Sequence, residues 1–227
     1  MKSIHELIKT LREVAGPALL QEEPYVVVAP KTTEQGTACI QAARDHSCHV
    51  MILGSGSSFP PDFALLRDNV IALLTVRLTG IQSVSPFVNR VLCGTPVEAI
   101  LNSEESPPRR TLGGLIADAR SGLRDPALRA IWAQTVSLEI FGADHGLQTL
   151  PAAASATNRD GASAELLIGS RGRLGWIAAL HLKATLPIHV ESFSQSGSYS
   201  TSFNSTEAAL RGGDLRALFD AHSLFQW

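Results

Sequence analysis

Three short glycine-bearing segments carry the residue types that could hold a phosphorylated ligand. They are the run GSGSS at 54–58, the run RTLGG at 110–114 with a Ser-Gly pair at 121–122, and residues 169–175 with glycines at 169, 172 and 175. Glycine adopts positive φ and lets the backbone approach a ligand, so successive N–H groups can point at one anion. Serine and threonine hydroxyls add further donors. These residue types predict phosphate binding by main-chain amides.

The spacing of the glycines excludes three common motifs. A G-x-G-x-x-G fingerprint is broken by Phe59 and Pro60, no Lys-Ser/Thr pair completes a Walker loop, and no G-x-S-x-G elbow occurs. Each segment also has a plainer interpretation, as a loop at 54–58, a helix start at 110–114 and a tight turn at 169–175. A helix start near 110–114 would present free N–H groups to an anion, and both interpretations of that segment stay open.

Hydrophobic periodicity and capping residues predict the elements that position these segments. Helices are expected at 3–15 and 32–46, and strands at 25–29, 49–53 and 70–74. The strand, helix and strand over 25–53 form a βαβ unit that leads into the first glycine run. Downstream, the pattern predicts strands at about 90–93, 135–141 and 176–182, helices at about 96–102 and 112–119, and a turn between two strands at Asp144-His145-Gly146.

The C-terminal part of the sequence has its own pattern. Serine occupies every even position from 192 to 202, with Phe193, Tyr199 and Phe203 among the odd ones. Period two gives an extended segment one serine face and one partly aromatic face, whereas the low complexity is equally typical of a disordered linker. A final helix at about 213–225 is predicted to dock on the domain or on another chain.

Composition and charge limit the classes of partner that this protein is expected to bind. The 227 residues carry a formal net charge of −2 and a pI near 6.4, which gives no general attraction to nucleic acid or an anionic membrane. No apolar run approaches the roughly 20 residues of a membrane-spanning helix, and the charged N-terminus lacks the apolar core of a signal peptide. Three irregularly spaced cysteines fit a reducing compartment. We expect a cytoplasmic protein with no membrane span and no nucleic-acid partner.

Other candidate sites have simpler explanations. His46, Cys48 and His49 straddle a helix end and a strand start, so their side chains are expected to diverge and we predict no metal site. Asp144 and His145 fit turn chemistry better than the start of a catalytic triad. Five arginines between 109 and 129 form a basic cluster, which is either a solvated face, a partner contact or a phosphate contact.

Taken in order, these segments resemble a known family. The βαβ unit, the run GSGSS, the run TLGG with its Ser-Gly pair, and the run GSRGRLGWIA at 169–178 are similar to the FAD-binding domain of the vanillyl-alcohol oxidase/p-cresol methylhydroxylase (PCMH) superfamily. Among its members the resemblance is to the flavin subunit of glycolate oxidase and to FAD-linked D-lactate dehydrogenases, whose last motif typically reads GSEGTLGIIT. It extends over about residues 3–190.

The resemblance implies an α+β, two-lobed, PCMH-type fold that holds FAD noncovalently. The domain would span 1–190, with a βαβ lobe at about 1–80 and a mixed-sheet lobe at about 81–190, followed by the serine-rich segment and helix of 191–227. Covalent attachment in this superfamily uses His, Cys or Tyr, and the run at 54–58 supplies none of them. The residues implied in FAD binding are Pro30, Gly54, Ser55, Gly56, Ser57, Ser58, Thr111, Leu112, Gly113, Gly114, Ser121, Gly122, Gly172, Gly175 and Ile177.

The resemblance also assigns parts of the cofactor to these segments. The run at 54–58 would bind the pyrophosphate, and 111–114 with the pair at 121–122 would follow the ribityl chain and the flavin edge. Residues 172–177 would meet the adenosine half or line the cleft. Arg110, Arg171 and Arg173 replace the glycine, glutamate and threonine of the family pattern, and they could pair with the pyrophosphate or obstruct it.

The function implied is that of an FAD-binding subunit of a flavin-linked oxidoreductase. By resemblance, the substrate would be a small 2-hydroxy acid such as glycolate or lactate. In these relatives a cap domain carries most substrate-binding residues. We expect no counterpart of it here, so we name no catalytic base and expect a partner subunit or self-association to complete the site. The alternative is a degenerate relative that binds little or no flavin and acts in assembly or regulation.

Overall fold

The computed structural model describes residues 4–21, 26–54, 70–101, 110–119, 121–142, 146–152 and 164–184. The described residues up to Arg77 belong to one compact unit, and those from Leu78 onward belong to a second. The serine pattern at 192–202, the helix expected at 213–225 and the turn residues Asp144 and His145 lie outside the described residues. The predicted extent of the FAD-binding domain, 1–190, stays a prediction.

The first unit combines two helices with a mostly parallel sheet. Its elements are α1 (Ile4–Ala15), β1 (Leu19–Gln21), β2 (Val26–Val28), α2 (Thr33–Asp45), β3 (His49–Leu53) and β4 (Val70–Leu74). The sheet order is β1-β2-β4-β3, in which β2 and β3 both pair with β4 in parallel and β1 pairs with β2 in antiparallel. The two strands of the predicted βαβ unit are therefore separated by β4.

Local sequence signals explain why these helices form. Leu7 and Leu11, four residues apart, are fully buried on one face of α1. Thr32 caps α2, because its side-chain oxygen accepts a hydrogen bond from the N–H of Gln35 at 3.2 Å. The Gln35 side chain in turn accepts from the N–H of Lys31 at 3.0 Å. This reciprocal arrangement, one residue displaced from the usual capping box, fixes the start of α2 directly after β2.

The second unit is built on a five-stranded antiparallel sheet in the order β5-β6-β9-β7-β8. Its elements are β5 (Ile81–Ser85), β6 (Val88–Leu92), α3 (Glu98–Leu101), α4 (Leu112–Ala117), α5 (Pro126–Gln134), β7 (Thr135–Gly142), β8 (Gly146–Pro151) and β9 (Trp176–Lys183). Leu138 of β7 lies opposite Leu180 of β9, and Phe141 lies opposite Trp176. These four side chains are buried, so they belong to the core of this unit.

The predicted α+β class is confirmed, and every helix and strand predicted within the described residues is present. Strands β1 and β5 and helix α5 were not predicted. Gly146, the last residue of the predicted turn, begins β8 with a φ of +69°. No helix in the described part of the chain is long and apolar enough to cross a membrane.

Candidate functional site

The carboxyl ends of the parallel strands in the first unit form one edge, where two of the predicted residues lie. Pro30 follows β2, and Gly54 directly follows β3. Thr75, which was not predicted, follows β4 at the same edge; it is 3% exposed, and its N–H donates to the carbonyl oxygen of Leu53 at 2.8 Å. Ligands of open α/β sheets bind outside the carboxyl ends of parallel strands. The remaining predicted residues of the first run, Ser55, Gly56, Ser57 and Ser58, lie outside the described residues.

The run TLGG in the second unit forms the start of α4. Thr111 is the N-cap, and its Oγ1 accepts a hydrogen bond from the N–H of Gly114 at 3.1 Å. The N–H groups of Leu112 and Gly113 donate to backbone carbonyls of the segment 93–95, at 2.9 and 2.8 Å. These first amides of α4 are therefore bonded inside the protein. The free N–H groups that a helix start could have offered to an anion are not present at Leu112, Gly113 or Gly114.

Gly113 and Thr111 nevertheless have specific roles. A Cβ on Gly113 would lie 3.0 Å from the Cβ of Cys93, so glycine allows α4 to approach the chain just after β6. The Thr111 hydroxyl keeps its own hydrogen, because the bond from Gly114 uses only a lone pair. Thr111 is 5% exposed, and among the described residues no acceptor takes that hydrogen.

The glycines of the third segment let backbone pack directly on backbone. Gly175 has a φ of +148°, and a Cβ there would lie 2.8 Å from the carbonyl oxygen of Phe141. Gly169 has a φ of +74°, and its Cβ would lie 3.2 Å from the carbonyl oxygen of Ala119. The N–H groups of Gly169 and Arg171 donate to carbonyls in the last turn of α4, at 2.9 and 2.8 Å. Helix α4 thus brings the second and third predicted segments together.

Two features near this junction are neither filled nor bonded by the described residues. Gly122 has a φ of +55°, its N–H donates to the carbonyl of Ala119 at 3.0 Å, and no atom of the described residues lies within 4 Å of the position of a Cβ. The Oγ of Ser170 is buried and has no hydrogen-bond partner in the described part of the chain. Buried hydroxyls are rarely left without a partner. Ser170 was not predicted, although its place in the run GSRG after Gly169 was a usable signal.

Two other predicted residues also lie in this unit. Gly172 has a φ of +73° within the third segment. Ile177 lies in β9 opposite Ile140 and is 5% exposed. The side chain of Ile177 is therefore largely enclosed by the protein itself.

Two of the three arginines in these segments, Arg110 and Arg171, have acidic partners within the chain. Arg110 Nη1 donates to Asp125 Oδ2 at 2.8 Å, while Asp125 Oδ1 accepts from the first two amides of α5. Burial would raise the pKa of Asp125, but the bonds from Arg110 and those amides hold it below its ordinary value. Arg171 Nε lies 3.6 Å from Asp118 Oδ1, and Arg173 is exposed. Arg110 is therefore bound to the cap of α5, a role that the sequence did not predict.

The residues considered for a metal site are engaged in local contacts. Thr10 Oγ1 donates to the carbonyl of Glu6 at 3.0 Å and lies 3.1 Å from His46 Nε2, so the imidazole N–H is the donor in that second contact. The Cys48 thiol lies 3.7 Å from the carbonyl oxygen of His46, and His49 is exposed. Within the described ranges, no three His, Cys, Asp or Glu side chains surround a possible metal position.

A charged cluster on the second sheet was not predicted. Arg90 of β6 donates through Nε and Nη2 to the two carboxylate oxygens of Glu139 of β7, at 2.6 Å each, and His181 Nε2 of β9 lies 2.8 Å from Glu139 Oε1. The bond from Arg90 lowers the pKa of Glu139, burial opposes this, and the bond from His181 adds to the lowering. Arg90 and His181 are 49 and 42 residues from Glu139 in sequence, so no local sequence motif indicates the cluster.

Comparisons with known proteins agree with this architecture. A family described as "FAD binding domain" matches residues 24–148. Similar solved structures include alkyldihydroxyacetonephosphate synthase (19% identity over 70% of this chain, TM-score 0.51) and p-cresol methylhydroxylase with substrate bound (13% over 79%, TM-score 0.56). A variant of cholesterol oxidase from Brevibacterium sterolicum is also similar (17% over 70%, TM-score 0.51). No curated protein matches the sequence significantly.

Each match covers most of this chain but less than half of the solved chain. This chain covers 32%, 42% and 34% of the three solved chains, in the order given, and so spans about a third of the length of the first. At these identities the likeness shows the fold alone, and it confirms the predicted PCMH-type fold. The family match, by contrast, takes in residues 24–148 of 227, which is more than half of the sequence and includes the first two glycine segments. The chain therefore belongs to the FAD binding domain family, whose cofactor is FAD.

Proposed function

We propose that this chain binds FAD noncovalently and serves as the FAD-binding part of a flavin-linked oxidoreductase. The match of the FAD binding domain family to residues 24–148 carries the proposal. Bound FAD would supply the hydride acceptor, and the protein would bind and orient it. By resemblance, the substrate is a small 2-hydroxy acid such as glycolate or lactate, and a partner subunit supplies the substrate site.

In the first unit, the proposed contacts lie at the carboxyl edge of the parallel strands. Pro30 and Gly54 are at this edge, and the run at 54–58 continues from it. Thr75 joins this set, because it follows β4 at the same edge and is almost fully buried. A pyrophosphate at this edge would be held by main-chain amides and by the serine hydroxyls of the run. The run contains no His, Cys or Tyr, which favours noncovalent binding.

In the second unit, the described groups fit a ligand with hydroxyl and phosphate groups. Within the described part of the chain, the Thr111 hydroxyl has a hydrogen to donate, the buried Ser170 hydroxyl has no partner, and nothing fills the space beside Gly122. Gly113 and Gly175 would act indirectly, because they pack the segments against the protein's own backbone. Ser170 is therefore an additional proposed FAD contact beside the residues that the resemblance implied.

The first experiment measures flavin binding by the full chain. We expect the purified protein to be yellow, to release FAD on acid denaturation, and to rebind added FAD. Gly122→Ala should weaken FAD binding by about tenfold, equivalent to about 1.4 kcal/mol, because a Cβ would enter the open space. Gly146→Ala is the matched control: Gly146 also has positive φ and open space, but it lies in a hairpin outside the proposed contacts.

The second experiment tests the substrate class separately. The FAD-loaded chain, alone and together with any subunit that co-purifies with it, is mixed anaerobically with glycolate or D-lactate. Bleaching of the visible flavin absorbance supports oxidation of a 2-hydroxy acid. A yellow protein that no 2-hydroxy acid reduces in either form would keep the FAD-binding role and refute the substrate.

One observation favours a second candidate function, a degenerate family member that acts in assembly or regulation. The amides at 112–114 are bonded inside the protein and offer no free donor to a cofactor, and the charge of Arg110 is already paired with Asp125. A colourless chain that shows no binding in a titration with FAD would support this candidate. A stoichiometric FAD complex would exclude it.

A further inference from the structure

A single carboxylate connects the starts of helices α4 and α5. Asp125 is the N-cap of α5, and its Oδ1 accepts from the N–H groups of Ala127 and Leu128 at 2.9 and 3.2 Å. Its Oδ2 accepts from Arg110 Nη1 at 2.8 Å. Arg110 directly precedes Thr111, which is the N-cap of α4. The two oxygens of the Asp125 side chain therefore link both helix starts.

The ion pair between Arg110 and Asp125 closes a loop of the chain over residues 110–125. This loop contains every residue of the second glycine segment that the resemblance implies in FAD binding: Thr111, Leu112, Gly113, Gly114, Ser121 and Gly122. The carbonyl oxygen of Arg110 accepts from the N–H of Val97 at 2.9 Å, and the N–H of Asp125 donates to the carbonyl of Gly122 at 3.2 Å. The ion pair therefore limits how far the turn at Gly122 can move from the start of α4.

The residue types at the two ends of this loop suit a role in position more than in overall stability. In the family pattern that the sequence resembles, position 110 is glycine, which has no side chain to form such a bond. The side chains of Arg110 and Asp125 are 43% and 19% exposed. Ion pairs that are open to water in this way add little to the free energy of unfolding. We therefore expect the pair to act mainly on where the loop lies.

We propose that Arg110 is a positioning residue for FAD, which acts through Asp125 to hold the turn at Gly122 close to Thr111. The inference rests on the proposed function, because the residues that the pair positions are the implied FAD contacts. An open loop would not present these residues together, and the apparent affinity of a ligand falls with the fraction of the binding-competent form. A direct contact of Arg110 with the pyrophosphate is the alternative, since its other guanidinium nitrogens have no partner among the described residues.

Titrations of the full chain with FAD separate positioning from direct contact. Arg110→Gln removes the positive charge, and Asp125→Asn removes the negative charge but keeps a side-chain oxygen that can cap α5. Each change should weaken FAD binding by about fivefold, the upper end for an exposed ion pair. The double variant should bind no more weakly than either single variant, because both changes break the same contact.

Two further variants complete the titrations. Arg110→Lys keeps a charged donor and should recover most of the affinity that Arg110→Gln loses, which a role in packing alone would not require. Arg129→Gln is the matched control, because Arg129 is an exposed arginine of the same cluster and has no ion-pair partner among the described residues. The control should bind FAD as tightly as the wild type.

Hydrogen exchange of the FAD-free chain gives a readout that does not depend on the cofactor. In Arg110→Gln and Asp125→Asn, the amides of Gly122 and Asp125 should exchange at least about threefold faster than in the wild type. The ladder between β7 and β9 should stay as protected as before. Faster exchange spread over the whole second unit would indicate a general loss of stability and would overturn the positioning role.

The FAD titrations have their own contrary outcomes. Variants that bind FAD as tightly as the wild type overturn the inference and leave the proposed function in place. A loss in Arg110→Gln without one in Asp125→Asn means that Arg110 contacts the cofactor directly, and a double variant that multiplies the two single losses also overturns the inference. A wild-type chain that binds no FAD refutes the proposed function and this inference together, so the wild-type titration distinguishes the two failures.

Discussion

The Arg90–Glu139–His181 cluster is expected to supply stability that a neutral amide cannot. Glu139→Gln keeps the size of the side chain but removes the charge that accepts bonds of 2.6, 2.6 and 2.8 Å. Leaving one member of a buried ion pair without its partner costs about 3–5 kcal/mol. Because Arg90 and His181 are 21% and 20% exposed at their side chains, water compensates for part of this. We expect the free energy of unfolding of the second unit to fall by about 2–3 kcal/mol.

Tryptophan fluorescence gives the assay, because Trp176 lies in the core of the second unit and is 1% exposed. Denaturant titrations of the wild type and of Glu139→Gln are compared, with Glu13→Gln, an exposed carboxylate on α1, as the control. The control should unfold at the same denaturant concentration as the wild type. A loss below about 0.5 kcal/mol for Glu139→Gln would place it in the range of an ordinary surface substitution and refute the reasoning.

The pH dependence of the stability difference between the wild type and Glu139→Gln tests whether the charge of Glu139 causes that difference. The pKa of Glu139 is lowered from 4.5 in the folded chain. Its contribution is therefore fully present above the unfolded pKa and is lost as the pH falls through the folded pKa. The difference in stability between the wild type and Glu139→Gln should shrink as the solution is acidified below about pH 4.5. A difference that persisted in acid would point to packing instead of charge.

Three further predictions concern single positions. Gly175→Ala should lower the free energy of unfolding by about 2 kcal/mol or more, since its Cβ would lie 2.8 Å from the carbonyl oxygen of Phe141. Gly142→Ala is the control in the same denaturant titration, because a Cβ at Gly142 would have no atom of the described residues within 4 Å. Asp125→Ala should cost about 1–2 kcal/mol in that assay through loss of the α5 cap, and no change would contradict the capping role. Burial raises the pKa of Cys39 to about 11, so iodoacetamide should modify Cys39 slowly in the native chain and rapidly after unfolding; equal rates by mass spectrometry would refute this.

The elements with strong local signals could be predicted from the sequence, and those without them could not. Helix α2 has a capping threonine, and β3 is an apolar run between a helix and the glycine-bearing run of the sequence at 54–58, so both lie where expected. Strand β5 is an exposed edge whose burial has no clear alternation, and nothing in IQSVS distinguishes it from a loop. Helix α5 was missed although Asp125 followed by proline is a typical helix start. The position of β4 between β2 and β3 depends on pairing across the sheet, which local periodicity does not encode.

The candidate site also has features that the sequence could predict and features that it could not. Glycine spacing identified segments in which backbone approaches something closely, and the structure shows such approaches at Gly113 and Gly175. Glycine spacing does not show whether the backbone approaches a ligand or another part of the protein, because either close approach requires a residue without a Cβ. The pairing of Arg110 with Asp125 joins residues 15 positions apart, and Arg90 and Glu139 are 49 positions apart, so neither contact follows from a local sequence pattern.

The glycines of the family motif therefore fall into two physical groups that one experiment can separate. At Gly113, Gly169 and Gly175 a Cβ would meet protein atoms at 3.0, 3.2 and 2.8 Å, so these glycines hold the segments together. At Gly122 a Cβ would meet no atom of the described residues within 4 Å, so none of those residues fills that space. Alanine at Gly175 should reduce stability and FAD affinity together. Alanine at Gly122 should reduce FAD affinity with a stability cost no larger than that of Gly146→Ala, and parallel losses at Gly122 and Gly175 would mean that both serve packing alone.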